Sequence, residues 1–142
     1  DMGSVQVKLS DDGTSVEKVW SNKEFDNHHG GIVLYKGHLY GANWQSNAKG
    51  KWVCVDWETG KMLYEQDWGN KGGLTCADGM LYCYDERNGT VGLIKATPDG
   101  FNPISSFKVE LGEKEHWARP VVCGKRLYIR HGGVLMTYDI AE

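Results

Sequence analysis

Residues 72–100, GGLTCADGMLYCYDERNGTVGLIKATPDG, hold the pattern that determines the predicted fold. Short aliphatic and aromatic runs alternate here with turn residues, which is typical of consecutive short strands. Asp78-Gly79 fits a two-residue hairpin turn, because both central positions of that turn need a positive φ. A four-stranded antiparallel meander is therefore predicted, with these strands: Leu74–Ala77, Met80–Tyr84, Val91–Ala96 and Ile104–Glu110.

The meander is one unit of an internal repeat. Its Leu81-Tyr82 pair recurs as Leu39-Tyr40 and as Leu127-Tyr128, at a period of roughly 40 residues. With the strands of a unit lettered a to d, the first stretch of chain supplies only c and d, and two complete units follow. The last unit supplies a, b and c. The predicted boundaries of the four units are 1–24, 25–68, 69–112 and 113–142.

A period of about 40 residues containing four short strands is typical of a β-propeller blade. The prediction is therefore an all-β fold, a partial β-propeller with a half blade, two full blades and one three-stranded blade. A closed propeller leaves no free blade faces, whereas a partial one does. Because the last unit ends on strand c, we expect the C-terminal portion of a longer propeller. Association between copies of the chain through their open ends is the alternative.

The segment around the third strand of the second unit resembles the repeat of the quinoprotein (PQQ-like) β-propeller family. The matching residues are Asp56, Thr59, Gly60, Lys61, Leu63 and Tyr64, with Tyr64 in the place of a Trp that Trp20 keeps in the first unit. The resemblance implies a ring of about seven or eight blades and a periplasmic or extracellular location. The same repeat serves quinone-dependent alcohol dehydrogenases and a non-catalytic outer-membrane assembly lipoprotein.

Composition excludes several classes of partner. The 142 residues carry a formal net charge of −3, with 40% hydrophobic and 25% charged residues, as in globular proteins. Nucleic acids and anionic membranes require a basic face, so neither is expected as a partner. No run approaches the roughly 20 apolar residues that span a bilayer. This chain contains no recognisable signal peptide, so its expected location depends on the resemblance alone.

The cysteines lie inside predicted strands among apolar neighbours: Cys54, Cys76, Cys83 and Cys123. Their spacing lacks the paired pattern of a metal site. We therefore expect small, buried hydrophobic side chains with free thiols. Cys76 is expected to lie opposite Leu81 across the hairpin, which leaves Cys83 diagonal to it and disfavours a disulfide.

Unusual residues gather in the loops of one predicted rim. In a meander blade, the d–a and b–c loops lie on one side and the a–b and c–d turns on the other. The turns are plain glycine-containing turns, whereas the loops are rich in histidine and tryptophan. Because loops carry binding groups more often than the scaffold does, we predict a ligand face formed by the d–a and b–c loops. Its candidate ligand-binding residues are His28, His29, Trp44, His116, Trp117 and Arg119.

Each candidate also has a structural interpretation. His28 and His29 are adjacent, and adjacent residues entering a strand point to opposite faces, so only one is expected to face a ligand. Trp44 and Trp117 can stack on a sugar ring or a quinone, or they can wedge between blades. Arg119 can clamp a carboxylate or form an ion pair between blades. Other loop residues are interpreted as solvated or as simple turns: Lys71, Arg87 and His131-Gly132-Gly133.

Two functions from different classes fit these observations. The first is a non-catalytic binding or assembly scaffold whose loop face recognises a protein or a carbohydrate, with no catalytic residue, metal or cofactor assigned. Its structural partners are the remaining blades of a longer propeller or another copy of the chain. The alternative is part of a PQQ-dependent alcohol or sugar dehydrogenase, with PQQ and calcium as cofactors. The resemblance associates those enzymes with an adjacent-cysteine disulfide, and this chain has no Cys-Cys pair. A structural fragment without its own activity is a third interpretation.

Overall fold

A computed structural model describes residues 2–141, which form thirteen β-strands in four sheets. Sheet 1 contains β1 (Ser4–Leu9) and β2 (Val16–Asn22). Sheet 2 contains β3 (Val33–Tyr35), β4 (His38–Ser46), β5 (Lys49–Asp56) and β6 (Met62–Gln66). Sheet 3 contains β7 (Gly72–Ala77), β8 (Met80–Asp85), β9 (Thr90–Lys95) and β10 (Pro103–Lys108). Sheet 4 contains β11 (Val121–Cys123), β12 (Arg126–His131) and β13 (Val134–Asp139).

Every sheet is an antiparallel meander in which strands adjacent in sequence pair with each other. The described residues contain no helix, so the predicted all-β class is confirmed. It follows that residues 2–141 include no helix long and apolar enough to cross a membrane.

The turns between strands a and b have the backbone that the sequence predicts. Asp78 and Gly79 have φ angles of 51° and 76°, and Lys36 and Gly37 repeat this with 47° and 76°. Two consecutive positive φ values match the right-handed twist of the flanking strands. The turn sets the register of β7 and β8, in which Cys76 lies opposite Leu81 as predicted.

The sheets pack against one another in chain order. The Leu of each Leu-Tyr pair faces the preceding sheet: Leu39 lies in a buried cluster with Trp20 against it, Leu81 in one with Tyr40, and Leu127 in one with Tyr84. Adjacent strand residues point to opposite faces, so one short motif covers both faces of an inner sheet. Full burial of a large apolar side chain stabilises the fold by roughly 1.5–3 kcal/mol.

A turn in sheet 2 holds sheet 1 in place. The Asp56 carboxylate accepts hydrogen bonds from the Thr59 N–H at 2.8 Å and from the Thr59 hydroxyl at 2.6 Å. These bonds hold the pKa of Asp56 below its usual range. The Trp20 indole N–H donates to the Trp57 carbonyl at 2.8 Å. A Cβ on Gly60 would lie 2.5 Å from the Trp20 ring, so the ring needs glycine there.

The cysteines agree with the prediction in part. All four are free thiols, and Cys54 and Cys83 are buried, whereas Cys76 is partly buried. The expectation of burial is wrong for Cys123, which is exposed. Cys123 ends the edge strand β11 of sheet 4, whose other face packs against sheet 3 through Val122.

Candidate functional site

Loops from sheets 2, 3 and 4 meet in an open cleft of about 550 Å³. These loops connect β2 to β3, β6 to β7, β8 to β9 and β10 to β11, and the tip of the β4–β5 hairpin completes the lining. The residues whose side chains carry the chemistry of the cleft are His28, His29, Lys71, Glu86, Arg87 and Trp117.

Lys71 forms the floor of the cleft together with Glu86. The Lys71 side chain is 2% exposed, and its ammonium nitrogen lies 2.5 Å from Glu86 Oε1. The same nitrogen donates to the carbonyls of Ser46 and Asn47, each at 3.1 Å. The expectation that Lys71 is solvated is therefore wrong, since its side chain is buried and three acceptors satisfy its three donors.

The other oxygen of Glu86 is directed towards His29. His29 Nε2 lies 3.4 Å from Glu86 Oε2. Burial lowers the pKa of His29 below 6.5, and the attraction of the Glu86 charge offsets this only in part. The cleft therefore presents an anchored carboxylate beside an imidazole that favours its neutral form.

Trp117 forms an aromatic wall. Its side chain is 57% exposed, and its ring centroid lies 5.3 Å from that of His29 at an interplanar angle of 58°. The His28 ring lies 4.5 Å from the His29 ring, and both histidines line the cleft. The alternation expected for this pair does not apply, because the strand begins only at Val33 and the two residues lie in a loop.

Trp44 and Arg119 lie outside this cleft. Trp44 lines a neighbouring cleft with Asn43 and Glu65, and its ring lies 6.1 Å from that of His28. The guanidinium of Arg119 lies over Gly31, where a Cβ would be 2.4 Å from Arg119 Cζ. Among the described residues, the ion pairs do not include Arg119. Its role here is to pack the loop before sheet 4 against the loop before sheet 2.

His116 lies behind the cleft wall and stacks on His131. The two rings are 3.7 Å apart at an interplanar angle of 26°, and both side chains are buried. Tyr84 contacts His116 Nδ1 through its hydroxyl. Both His29 and His116 touch Glu86, the latter through a backbone N–H to the Glu86 carbonyl at 3.4 Å, so they share one rim. The interpretation of His131 as part of a simple turn is wrong, because it ends β12 as a buried, hydrogen-bonded side chain.

Three residues of the site were not assigned a role from the sequence: Lys71, Glu86 and His131. For Lys71, a signal was present in two glycines, Gly72, which follows it in the chain, and Gly50, which contacts it in the fold. A Cβ on Gly50 would lie 2.5 Å from the Lys71 Cβ, and one on Gly72 would lie 1.8 Å from the Tyr84 carbonyl oxygen. Such close backbone approach indicates a packed segment and not a solvated loop.

The cleft does not fit the calcium site that the quinone-dependent resemblance implies. The described part of the chain has no group of three or more His, Cys, Asp or Glu side chains placed to hold a metal ion. At the floor, Lys71 already occupies one oxygen of Glu86. What the cleft offers is an aromatic surface beside hydrogen-bonding groups.

In comparisons with known proteins, the chain matches no family model, and no curated protein shows significant similarity to it.

Proposed function

We propose that this chain is a non-catalytic binding module that holds a carbohydrate in the cleft lined by His29 and Trp117. The observation that carries the proposal is the exposed Trp117 indole beside an anchored, buried carboxylate. An aromatic face offers a large apolar surface to the C–H face of a sugar ring. A carboxylate accepts strong hydrogen bonds from hydroxyl groups, which fixes the orientation of the ring.

The polar groups of the cleft are held in place before any ligand binds. Lys71 anchors Glu86, and the Arg87 guanidinium donates to the Ala48 carbonyl at 3.2 Å. His29 adds a donor or an acceptor, depending on its tautomer. Groups that are already ordered lose little entropy on binding. The volume of about 550 Å³ lies within the roughly 300–1,000 Å³ typical of small-molecule clefts.

A glycan array followed by calorimetry tests the proposal. The chain is expected to bind one class of oligosaccharide, and Trp117→Ala is expected to weaken that binding by at least about tenfold, the loss of a stacking contact of roughly 1.4 kcal/mol. Trp44→Ala is the matched control, since Trp44 lines the neighbouring cleft. The affinity of this variant for the glycan should stay within about twofold of that of the wild-type chain. Absence of binding to any glycan, or equal losses in the two variants, would overturn the proposal.

We also propose that the four sheets are blades of a larger β-propeller of the quinoprotein-like type, located in the periplasm or outside the cell. The support is the repeated Leu-Tyr motif, the packing of the sheets in chain order and the uncovered outer faces of sheets 1 and 4. Val16 on sheet 1 is 67% exposed and Leu135 on sheet 4 is 65% exposed. Further blades, or a second copy of the chain, are the partners that such faces fit.

A further inference from the structure

The stacked pair of His116 and His131 has a protonation state that its hydrogen bonds define. His131 Nδ1 lies 2.8 Å from the Leu111 carbonyl oxygen, and His131 Nε2 lies 2.7 Å from that of Lys114. A carbonyl oxygen only accepts hydrogen bonds, so both ring nitrogens of His131 must donate. Only the imidazolium form of histidine donates from both nitrogens.

His116 must then be neutral. Its ring lies 3.7 Å from that of His131, and a second positive charge at that distance in a buried site is strongly unfavourable. Tyr84 contacts His116 Nδ1, so a neutral His116 accepts a hydrogen bond from the Tyr84 hydroxyl there. Burial lowers the pKa of His116, and the charge of His131 lowers it further. The observed arrangement of the pair therefore needs one positive charge, on His131. A second positive charge, on His116, is incompatible with it.

Charged groups on three strands act on the pair. Asp85, at the end of β8, favours a proton on His116, whereas Lys108, at the end of β10, opposes it. His131 itself comes from β12. On the connecting loop, the side chains of Glu113, Lys114 and Glu115 are exposed to solvent, which screens their charges.

The pair holds the loop that carries the aromatic wall of the cleft. The carbonyls that His131 binds belong to the connection between β10 and β11, and His116 lies in the same connection, next to Trp117. Two contacts therefore hold this connection: the stacking of His116 on His131, and the hydrogen bonds from His131 to the two carbonyls. Both contacts depend on the charge of the two imidazoles.

We propose that His116 and His131 form a one-proton latch that seats residues 109–120, and that a second proton unseats this loop and releases the ligand. This inference rests on the proposed function, because it concerns regulation of the same cleft. The cleft is expected to bind near neutral pH and to lose affinity on acidification. If the released state binds one more proton than the ligand-bound state, the affinity falls about tenfold for each pH unit over which that proton is taken up.

Ligand-free NMR tests the latch without any glycan. With the loop seated, both ring nitrogens of His131 should show the ¹⁵N shifts of protonated nitrogens. On lowering the pH from 7.5 to 5, the protonation of His116 should coincide with changes in the amide signals of residues 109–120 and in the Trp117 indole signal. A seated loop with one unprotonated His131 nitrogen, or an unchanged loop while His116 titrates, would overturn the proposal.

Two variants remove the second proton site. His116→Phe keeps an aromatic ring against His131, and His116→Gln keeps a polar group near Tyr84, so at least one is expected to fold. Both should lose the acid-induced change in residues 109–120. His38→Phe is the matched control, because His38 lies at the start of β4 after an a–b turn, and it should keep the wild-type transition. Persistence of the transition in a folded His116 variant would contradict the latch.

Calorimetry at pH 7.5 and 5.5 then separates the latch from the proposed function. A tenfold weakening of glycan binding in wild type that disappears in the His116 variants supports both. An NMR transition without binding of any glycan at either pH would leave the latch standing and overturn the proposed function. Glycan binding that is equally tight at both pH values, with no loop transition, would overturn the latch alone.

Discussion

Lys71 and Glu86 determine the shape of the cleft floor through a buried ion pair. Removing two charges from water is costly, and their attraction repays this only when the remaining donors are satisfied. Here the carbonyls of Ser46 and Asn47 satisfy the other two ammonium protons. The pair thus connects the β4–β5 hairpin tip with the loop after β8 and keeps one Glu86 oxygen available to the cleft.

Lys71→Met should destabilise the fold by about 3–5 kcal/mol, because it leaves the Glu86 carboxylate buried without its counter-ion. Lys51→Met is the matched control. Lys51 lies 3.2 Å from Glu65 in a partly exposed pair, and its loss should cost less than about 1 kcal/mol. Urea denaturation of both variants measures the difference, and equal losses would contradict the assigned role of Lys71.

The four thiols should differ in reactivity, because alkylation requires an accessible thiolate. Cys123 is exposed, whereas burial raises the pKa of Cys54 to about 11 and that of Cys83 well above its ordinary value. Iodoacetamide at pH 8 should modify Cys123 first, and Cys54 and Cys83 only after unfolding. Mass spectrometry of the digested protein checks the order. Early modification of Cys83 in the native protein would show that sheets 2 and 3 are not packed as described.

At the level of elements, the repeat works because each sheet carries its own docking groups. The Leu-Tyr pair of strand b packs against the sheets on both sides of its own sheet. The turn after Asp56 binds Trp20 of the preceding sheet through a hydrogen bond. The Asn22 side chain adds a hydrogen bond to the Gly60 carbonyl at 2.7 Å. Sheet 1, with only two strands, depends on this turn for its position.

Gly60→Ala tests that contact, with Gly13→Ala as its control. Their φ angles are 70° and 69°, so the backbone strain of about 1–2 kcal/mol is the same in both. A Cβ at Gly60 meets the Trp20 ring, whereas one at Gly13 meets nothing within 4 Å. Gly60→Ala should therefore cost about 1–3 kcal/mol more and change the Trp20 fluorescence. Equal unfolding free energies in urea would refute the docking role.

Elements defined by local chemistry were predictable, and contacts made between sheets were not. Asp78-Gly79 and the Leu-Tyr pairs carry their information within a few residues, so the strands and turns followed from the sequence. The burial of Lys71 and the exposure of Cys123 depend on which sheet covers a given face. His131 looked like a turn residue because its partners, the carbonyls of Leu111 and Lys114, come from a loop about 20 residues earlier.

At the level of the whole molecule, the two end sheets leave apolar faces uncovered. Val5, Val7 and Leu9 of β1 are each about half exposed or more, and Leu135 is exposed on sheet 4. Exposed apolar side chains grouped on a strand in this way are typical of interaction sites. In the inner sheets, by contrast, the central strands β4, β5, β8 and β9 are mostly buried.

The isolated chain should therefore associate with itself as its concentration rises. Light scattering coupled to size-exclusion chromatography should give masses above the 15.9 kDa of one chain. Val7→Lys should lower the association, because it places a charge on the outer face of sheet 1. Ser15→Lys, an exposed substitution of the same charge outside the strands, should not. A stable monomer at every concentration would argue against the propeller proposal.

The most direct test of the proposed binding site is the indole region of a ¹⁵N NMR spectrum, in which the six tryptophans are separately observable. Trp117→Phe identifies the Trp117 signal by its disappearance. On titration with the glycan selected on the array, we expect a progressive shift of the Trp117 indole signal, while the signals of the hydrogen-bonded indoles of Trp20 and Trp52 stay in place. A Trp117 signal that does not move while another indole signal shifts would contradict the proposed site.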